Sequence, residues 1–151
     1  MTEQVPSMPV CLHDGDKTAS LIIRYGDWLP LELNPIYRDA VQELRGGGRK
    51  VVQFTDLHCT GGAVTLRHLL SKALNVAVNM DATDIVAVVS PHSARGYRAM
   101  HFTDMLPDDP PRVWDCARDE DGDLLPTRLI RLAIDALPAA VLRDWLAVQN
   151  K

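Results

Sequence analysis

The sequence predicts a mixed α/β fold in which helices cover a sheet of several strands. Three observations support this prediction. The uninterrupted apolar run within Asp84–Ser90 is typical of a strand covered on both faces. The preceding segment, Ala63–Asn79, places its leucines and alanines on one helical stripe. Strand-like and helix-like segments alternate along the chain, as they do in α/β and α+β domains.

The bulk composition is that of one globular domain. The chain has 151 residues, of which 46% are hydrophobic and 24% charged, so it is long enough to bury a single core. Its formal net charge of −4 argues against nucleic-acid binding, because a polyanion requires a surface rich in lysine and arginine.

Targeting signals and cysteine usage predict a cytoplasmic protein. The N-terminus lacks the basic and apolar regions of a signal peptide, and no run approaches the roughly 18 apolar residues of a transmembrane helix. Cys11, Cys59 and Cys116 lie far apart and have no zinc-ligand spacing. We therefore expect reduced thiols and no metal site.

The first part of the chain predicts a hairpin followed by a helix. Residues 1–9 contain two prolines and are expected to form a loose start. A turn signal at Asp14-Gly15 separates two apolar runs, Val10–His13 and Ser20–Arg24. A helix is expected over Pro35–Leu44, since Asn34 suits the N-cap and a proline the first helical position.

The strand predicted at Val51–His58 lies at the centre of the sequence. Alternate residues of a strand face opposite sides of the sheet. Gln53, Thr55 and Leu57 are therefore expected on one side and Phe54 on the other.

The second half predicts a short helix, strands and a terminal helix. Pro91 opens a helix that runs to Met100, and Phe102–Leu106 has the composition of a strand. The acidic, proline-rich segment 107–124 is expected to form a surface loop, within which Val113–Cys116 could be locally extended. A closing strand at Leu125–Ile134 and an amphipathic helix at 137–149 follow.

The turn Thr60-Gly61-Gly62 is the first feature that indicates chemistry. It joins the central strand to the helix that starts at Ala63, and a helix N-terminus offers unpaired N–H groups to a phosphate. Glycines there would let a ligand approach the backbone closely. The alternative is a plain tight turn, because no Gly-Lys-Ser/Thr of a P-loop follows.

Other polar residues have equally open interpretations. Tyr97 could protonate a leaving thiolate, or it could pack its helix against the sheet. The histidines show no ligand spacing on a shared helix, and the acidic residues of 107–124 lack a calcium-loop pattern, so a solvated surface is expected.

Taken in order, three segments resemble the GNAT acyltransferase superfamily, and within it the long-chain N-acyl amino acid synthases, which are relatives of the acyl-homoserine lactone synthases. The segments are ELRGGGRKVVQFTDLHC, SPHSARGYRAMHF and LPTRLIRLAID. In the second segment Pro91, Arg95, Tyr97 and Phe102 fall at the positions of the family's motif. The resemblance spans residues 10–135.

This resemblance implies a GNAT-like α/β fold with a splayed central sheet. Strands 51–58 and 84–90 would part to admit the acyl-pantetheine arm of the donor, a fatty acyl thioester on acyl carrier protein or CoA. The acceptor would be an amino acid or another amine, and no cofactor would be tightly bound. The resemblance leaves the family's N-terminal elements without a counterpart in this sequence, so an open sheet edge and a homodimer are expected.

The resemblance also assigns site residues. Tyr97 would be the general acid, and Gln53 stands where the family has its catalytic Glu. Nine further residues would contact the donor, namely Phe54, Thr55, Leu57, Thr60, Gly61, Gly62, Ser90, His92 and Arg95.

Departures from the family pattern leave two functions open. An amide such as Gln53 cannot act as a general base near neutral pH. Asp56 reverses a basic position of the family, and His101 replaces a glycine. The chain is either an acyltransferase or a non-catalytic thioester-binding or assembly protein on the same scaffold.

Overall fold

A computed structural model describes residues 6–106, 112–118 and 121–147. Seven strands belong to one connected sheet: β1 Ser7–Asp14, β2 Lys17–Arg24, β3 Val51–Cys59, β4 Asp84–Val89, β5 Thr103–Asp104, β6 Arg112–Arg118 and β7 Leu124–Ala133. Four α-helices are described: α1 Pro35–Gly46, α2 Ala63–Asn79, α3 Pro91–Ala99 and α4 Ala139–Ala147. None of them combines the length and apolarity that a bilayer-spanning segment requires.

The sheet is mixed, with the order β1-β2-β3-β4-β7-β5 and with β6 paired to β7. Strands β3 and β4 are parallel, and every other pair is antiparallel. A parallel pair needs a crossover connection, which α2 supplies. The predicted mixed α/β sheet is confirmed.

Helices cover both faces of this sheet. On one side, here called the α2 face, Leu69, Leu70 and other apolar residues of α2 join α3 and α4 in one buried cluster with Phe54 and Ile85. On the opposite side, the α1 face, residues of α1 and of a 3₁₀ turn at Pro30–Leu33 form a second cluster. Both faces of β4 are therefore buried, as its apolar run predicts.

The helix bounds follow the local signals in the sequence. Asn34 caps α1, with its side-chain oxygen accepting from Ile36 N at 3.0 Å. The helix continues to Gly46, two residues beyond the prediction, because its C-cap lies at Gly47. Helix α2 has the predicted bounds. Helix α4 ends at Ala147 within the described residues, and the last two residues of the predicted helix lie outside them.

Two segments that the sequence predicts to be irregular contain strands in the structure. The predicted surface loop at 107–124 contains β6, which pairs with β7. The loop prediction is therefore wrong for residues 112–118, of which only Val113–Cys116 was considered as an extended segment. Its β-forming residues were hidden between acidic and proline-rich flanks. The predicted loose start likewise contains part of β1, which begins at Ser7; residues 1–5 lie outside the described residues.

A buried carboxylate ties together the end of the sheet where β3 and β4 start. Asp84 is fully buried, and its oxygens accept from Arg49 Nε at 2.7 Å and from Arg131 Nε at 2.5 Å. Thr83 Oγ1 donates to the same carboxylate at 2.6 Å. Arg49 also donates to both oxygens of Asp135, at 2.6 and 2.7 Å, and this hydrogen bonding holds the pKa of Asp135 below its usual range.

Removing the Asp84 charge is expected to destabilise the protein. Asp84→Asn leaves two guanidinium groups facing a neutral amide, and breaking a buried ion pair costs about 3 kcal/mol. Denaturant unfolding followed by circular dichroism measures the loss. Asp39→Asn is the matched control, because Asp39 is exposed and, within the described part of the chain, is paired only with its neighbour Arg38. Equal stability of the two variants would contradict this role for Asp84.

Candidate functional site

The parallel strands β3 and β4 separate part of the way along their length. Their pairing covers Val51 with Asp84, Val52 with Ile85 and Gln53 with Val86. Beyond Gln53, β3 continues along β2 while β4 continues along β7. No described strand fills the gap. The outer half of β3 therefore offers backbone N–H and C=O groups on its β4 side to an extended ligand.

A β-bulge lies in the separated half of β3. Ser20 pairs with His58 and Ile22 with Thr55. The two-residue interval between the first pair and the second on β2 therefore faces a three-residue interval on β3, so β3 contains one extra residue. The extra residue is accommodated near Asp56, whose φ of 56° is left-handed and is tolerated by aspartate better than by most residues. Asp56 Oδ2 also accepts from Arg24 Nη2 at 3.1 Å.

This bulge reverses the alternation of side chains along the strand. Leu57 packs with the cluster on the α2 face, together with Phe54 and not with Gln53. The predicted shared face of Gln53, Thr55 and Leu57 is therefore wrong for Leu57. The error arises because a single left-handed residue shifts the period of the strand by one.

A cleft of about 980 Å³ lies on the α2 face beside the separated half of β3. Its walls come from the end of β3, the turn before α2, the first turns of α2, helix α3 and helix α4. Four predicted site residues line this α2-face cleft: Leu57, Gly61, Gly62 and Arg95. The structure thus brings together residues that are distant in the sequence.

The turn between β3 and α2 is held in place by contacts to β2. Thr60 N donates to Thr18 O at 2.8 Å, and Thr60 Oγ1 accepts from Thr18 N at 2.8 Å. A Cβ on Gly61 would stand 2.1 Å from Thr65 Oγ1, so this close packing requires glycine. Gly62 is the N-cap of α2, and a Cβ there would meet nothing within 4 Å. The space in front of this helix N-terminus is open to a ligand.

Two guanidinium groups line the cleft near this turn. Arg67 lies on the first turns of α2 and Arg95 on α3. Both residues are exposed, and neither forms an ion pair with another residue in the described part of the chain. The helix N-terminus and two unpaired cations give this side of the cleft a positive character suited to phosphate.

Tyr97 packs inside the protein and is not among the residues that line the cleft. Its ring makes an edge contact with Phe102, with centroids 5.0 Å apart, and Phe102 in turn lies 6.5 Å from Phe54. Burial raises the pKa of Tyr97. The phenol therefore stays protonated at neutral pH and cannot act as a base, and its raised pKa makes it a weaker proton donor than an exposed tyrosine.

Gln53 is buried on the α1 face at the last pair before β3 and β4 part. Its Oε1 accepts a hydrogen bond from Leu31 N at 3.1 Å. Leu31 belongs to the 3₁₀ turn, which packs over this part of the sheet. The side chain of Gln53 thus holds a neighbouring segment in place.

Three of the remaining predicted site residues, Phe54, Thr55 and Ser90, have structural contacts. Phe54 lies in the core, and Thr55 Oγ1 accepts from Arg24 Nε at 3.2 Å on the α1 face. Ser90 is the N-cap of α3, accepting from Ser93 N at 3.4 Å. His92 follows it on α3, and its side chain lies outside what the structure describes.

Sequence reasoning missed the contribution of the terminal helix. Val141, Asp144 and Trp145 of α4 line the cleft opposite β3. His101, at a φ of 69°, brings its ring within 5.3 Å of Trp145. The amphipathic pattern of α4 predicts a buried face but gives no sign of which cavity that face borders. Among the described residues, no group of three potential metal ligands is found.

Comparison with known proteins identifies the fold. No protein-family model matches the sequence, and no curated protein matches it significantly. The structure of FeeM, an N-acyl amino acid synthase from uncultured soil microbes, matches with a TM-score of 0.60 and 16% identity, over 86% of this chain and 74% of its own. A CoA-dependent acyl-homoserine lactone synthase, BjaI, solved with SAM and isopentyl-CoA, gives 0.56 and 8% identity, over 92% of this chain and 62% of its own.

The chain therefore spans less than two thirds of the BjaI structure. Identities this low establish the fold alone. The fold prediction made from the three sequence motifs is confirmed: this chain has a GNAT-like fold, with a splayed, mixed sheet similar to that of FeeM.

Proposed function

We propose that this protein binds an acyl-pantetheine thioester between β3 and β4 and acts as an acyltransferase. The observation that carries the proposal is the separation of the two strands after the pair Gln53–Val86. It leaves one side of β3 open for an extended arm that can pair with backbone groups. The α2-face cleft beside it has room for the rest of the donor.

The phosphate of the donor would lie at the turn before α2. The N–H groups that follow Gly62 are unpaired helix-terminal donors, and a glycine at this position presents no side chain to the ligand. Arg67 and Arg95 line the same cleft and supply two positive charges. Both CoA and the phosphopantetheine of acyl carrier protein carry a phosphate for this site.

The reaction would use the backbone of β3 and the phenol of Tyr97. An amine attacks the thioester carbonyl, and the developing oxyanion accepts hydrogen bonds from N–H groups in the open half of β3. The tetrahedral intermediate then expels the pantetheine thiolate, which Tyr97 would protonate through a water molecule, since its phenol does not line the cleft. The proton that the amine nitrogen loses would return through solvent to the Tyr97 phenolate. The products are an N-acyl amine and free thiol.

A second candidate function follows from the question of which group would act as the general base. Gln53 is buried, and its oxygen is occupied by Leu31 N, so it cannot deprotonate the amine. This observation favours a protein that binds the thioester without rapid turnover. Acyl carrier protein and a second copy of the chain are the partners we propose for such a role.

Replacing Gln53 with glutamate distinguishes catalysis from binding alone. The carboxylate of Gln53→Glu keeps the acceptor for Leu31 N and adds a base whose pKa burial would raise toward neutrality. We expect N-acyl product from long-chain acyl-CoA or acyl carrier protein with mixed amino acids to increase about a hundredfold over wild type, as general base catalysis typically gives. Mass spectrometry measures the product.

The matched control adds Tyr97→Phe to the Gln53→Glu variant. This change keeps the ring contacts in the core and removes only the hydroxyl, so product should fall if the phenol protonates the leaving thiolate. Thioester binding without product in wild type and in both variants would support the second candidate. Absence of thioester binding in correctly folded protein would contradict both.

A side chain added at Gly62, in the turn before α2, should prevent the acyl-thioester donor from binding. Gly62→Val places a branched side chain where an added Cβ meets no protein atom, so the fold is kept while the phosphate site is obstructed. Calorimetric titration with acyl-CoA should show an affinity loss of about tenfold or more, as for loss of charged hydrogen bonds. Gly46→Ala is the control, because Gly46 ends α1 and has equally open surroundings. Equal affinities would place the phosphate elsewhere.

A further inference from the structure

His101 occupies a backbone position at which glycine would be the least strained residue. It follows α3 with a φ of 69°. Its N–H donates to Arg98 O at 3.0 Å, and Phe102 N donates to Tyr97 O at 3.2 Å. These hydrogen bonds end the helix in the left-handed turn that most often carries glycine. Backbone strain of this kind clusters at functional sites, which makes the side chain of His101 a candidate for a functional group.

His101 brings an imidazole to the α2-face cleft. The residue is exposed and lines the cleft together with residues of β3, α2, α3 and α4. Its ring lies 5.3 Å from that of Trp145, at an angle of 59° between the ring planes, and Trp145 is itself only 4% exposed. The indole therefore fixes one side of the imidazole. Among the described residues neither ring nitrogen has a hydrogen-bond partner, so both can bind a ligand.

The chain places His101 beside the groups proposed for acyl transfer. The next residue, Phe102, packs against the ring of Tyr97 with centroids 5.0 Å apart, and its ring lies 6.5 Å from that of Phe54. Phe54 is the first residue of β3 after the last pair with β4. Since consecutive Cα atoms are about 3.8 Å apart, His101 is anchored near the open half of β3 and about one helical turn beyond Tyr97.

The other titratable or charged groups of the cleft are less suited to remove a proton from an amine. Among the described residues these are His58, Cys59, Arg67, Arg95 and Asp144. The two arginines stay cationic, and Cys59 Sγ donates to Gly61 O at 3.4 Å. Leu57 and Cys59 both pack on the α2 face, so the side chain of His58 between them projects to the opposite face. Asp144 is exposed, and a solvated carboxylate is a weaker base than an imidazole.

We propose that His101 is the general base of acyl transfer, a role that Gln53 cannot fill; this proposal rests on the proposed function. Imidazoles gain and lose a proton near neutral pH, which suits a general base. As the amine attacks the thioester carbonyl and the C–N bond forms, a ring nitrogen of His101 takes the N–H proton. The C–S bond then breaks, and the thiolate receives a proton from Tyr97 through water. The proton on His101 returns through solvent to the phenolate.

Two variants of the intact protein test this role. His101→Asn keeps a polar side chain that tolerates the left-handed conformation, and His101→Gly removes the strain, so both should fold. With long-chain acyl-CoA and mixed amino acids, both should form product about a hundredfold more slowly, as loss of a general base typically gives. Their affinity for acyl-CoA should be unchanged. His13→Asn is the matched control, because His13 is exposed on β1 and does not line the cleft.

Two further measurements distinguish a base from a residue that only shapes the cleft. Imidazole added to His101→Gly can enter the space that the side chain leaves, and it should restore part of the lost rate without accelerating wild type. Combining Gln53→Glu with His101→Gly supplies a different base, so product formation should return to at least the wild-type rate. A purely structural defect at His101 would respond to neither change.

The outcomes separate this proposal from the proposed function. It is overturned if wild type binds acyl-CoA but forms no product at neutral pH, if His101→Gly keeps the wild-type rate, or if neither imidazole nor Gln53→Glu restores activity. A large loss of rate in Asp144→Asn with none in His101→Asn would assign the base to Asp144 instead. Absence of acyl-CoA binding in folded wild type would contradict the proposed function as well.

Discussion

The buried carboxylate of Asp84 fixes the geometry on which the rest of the structure depends. It sits at the first pair of the parallel strands, opposite Val51, and is held by Arg49 before β3 and by Arg131 on β7. Three segments are thereby joined at one end of the sheet. Two residues further along, the same strands lose contact with each other. The ion pairs of Asp84 hold β3 and β4 in register at one end, so the two strands can separate at the other end.

The end at which β3 and β4 separate is formed by local structural features, each of which has a physical cause. The bulge at Asp56 turns Leu57 toward the α2 face, and Thr60 ties the following turn back to β2. Gly61 packs against Thr65 so closely that no side chain fits, which sets the start of α2. Together they place a helix N-terminus, unpaired strand groups and two guanidinium groups around one cleft. This combination suits a phosphate-bearing arm that lies extended along β3.

Local signals in the sequence predicted the elements that form this framework. The apolar run at Asp84–Ser90, the stripe of α2 and the Asn34 cap all specify structure through neighbours in the chain, and their predicted bounds agree with the structure within two residues. The motif containing Arg95 and Tyr97 indicated the fold, which the comparison with FeeM supports.

Features that depend on non-local packing could not be predicted in the same way. The bulge at Asp56 requires pairing with β2 and is invisible in a strand's alternation, so Leu57 was assigned to the wrong face. Strand β6 gains its backbone partners from β7, a pairing that its acidic and proline-rich flanks do not indicate. Trp145 reaches the cleft because α4 packs against α2, a contact that no local pattern encodes.

Gln53 shows how a single position connects structure with function. Its amide ties the 3₁₀ turn to the last pair before the strands separate. A glutamate there could hold the same turn and also accept a proton. The proposed thioester-binding scaffold is therefore independent of the group that would make the protein an efficient catalyst. Binding is the property that the geometry supports most directly.

Hydrogen exchange along β3 tests the central claim most directly. Amides from Phe54 to Cys59 that face the gap should exchange rapidly in the free protein and become protected when a non-hydrolysable acyl-CoA analogue is added. Amides of β4 that pair with β7 should be unchanged, since those hydrogen bonds are already formed. Protection confined to other parts of the protein, or no protection at saturating ligand, would contradict the account.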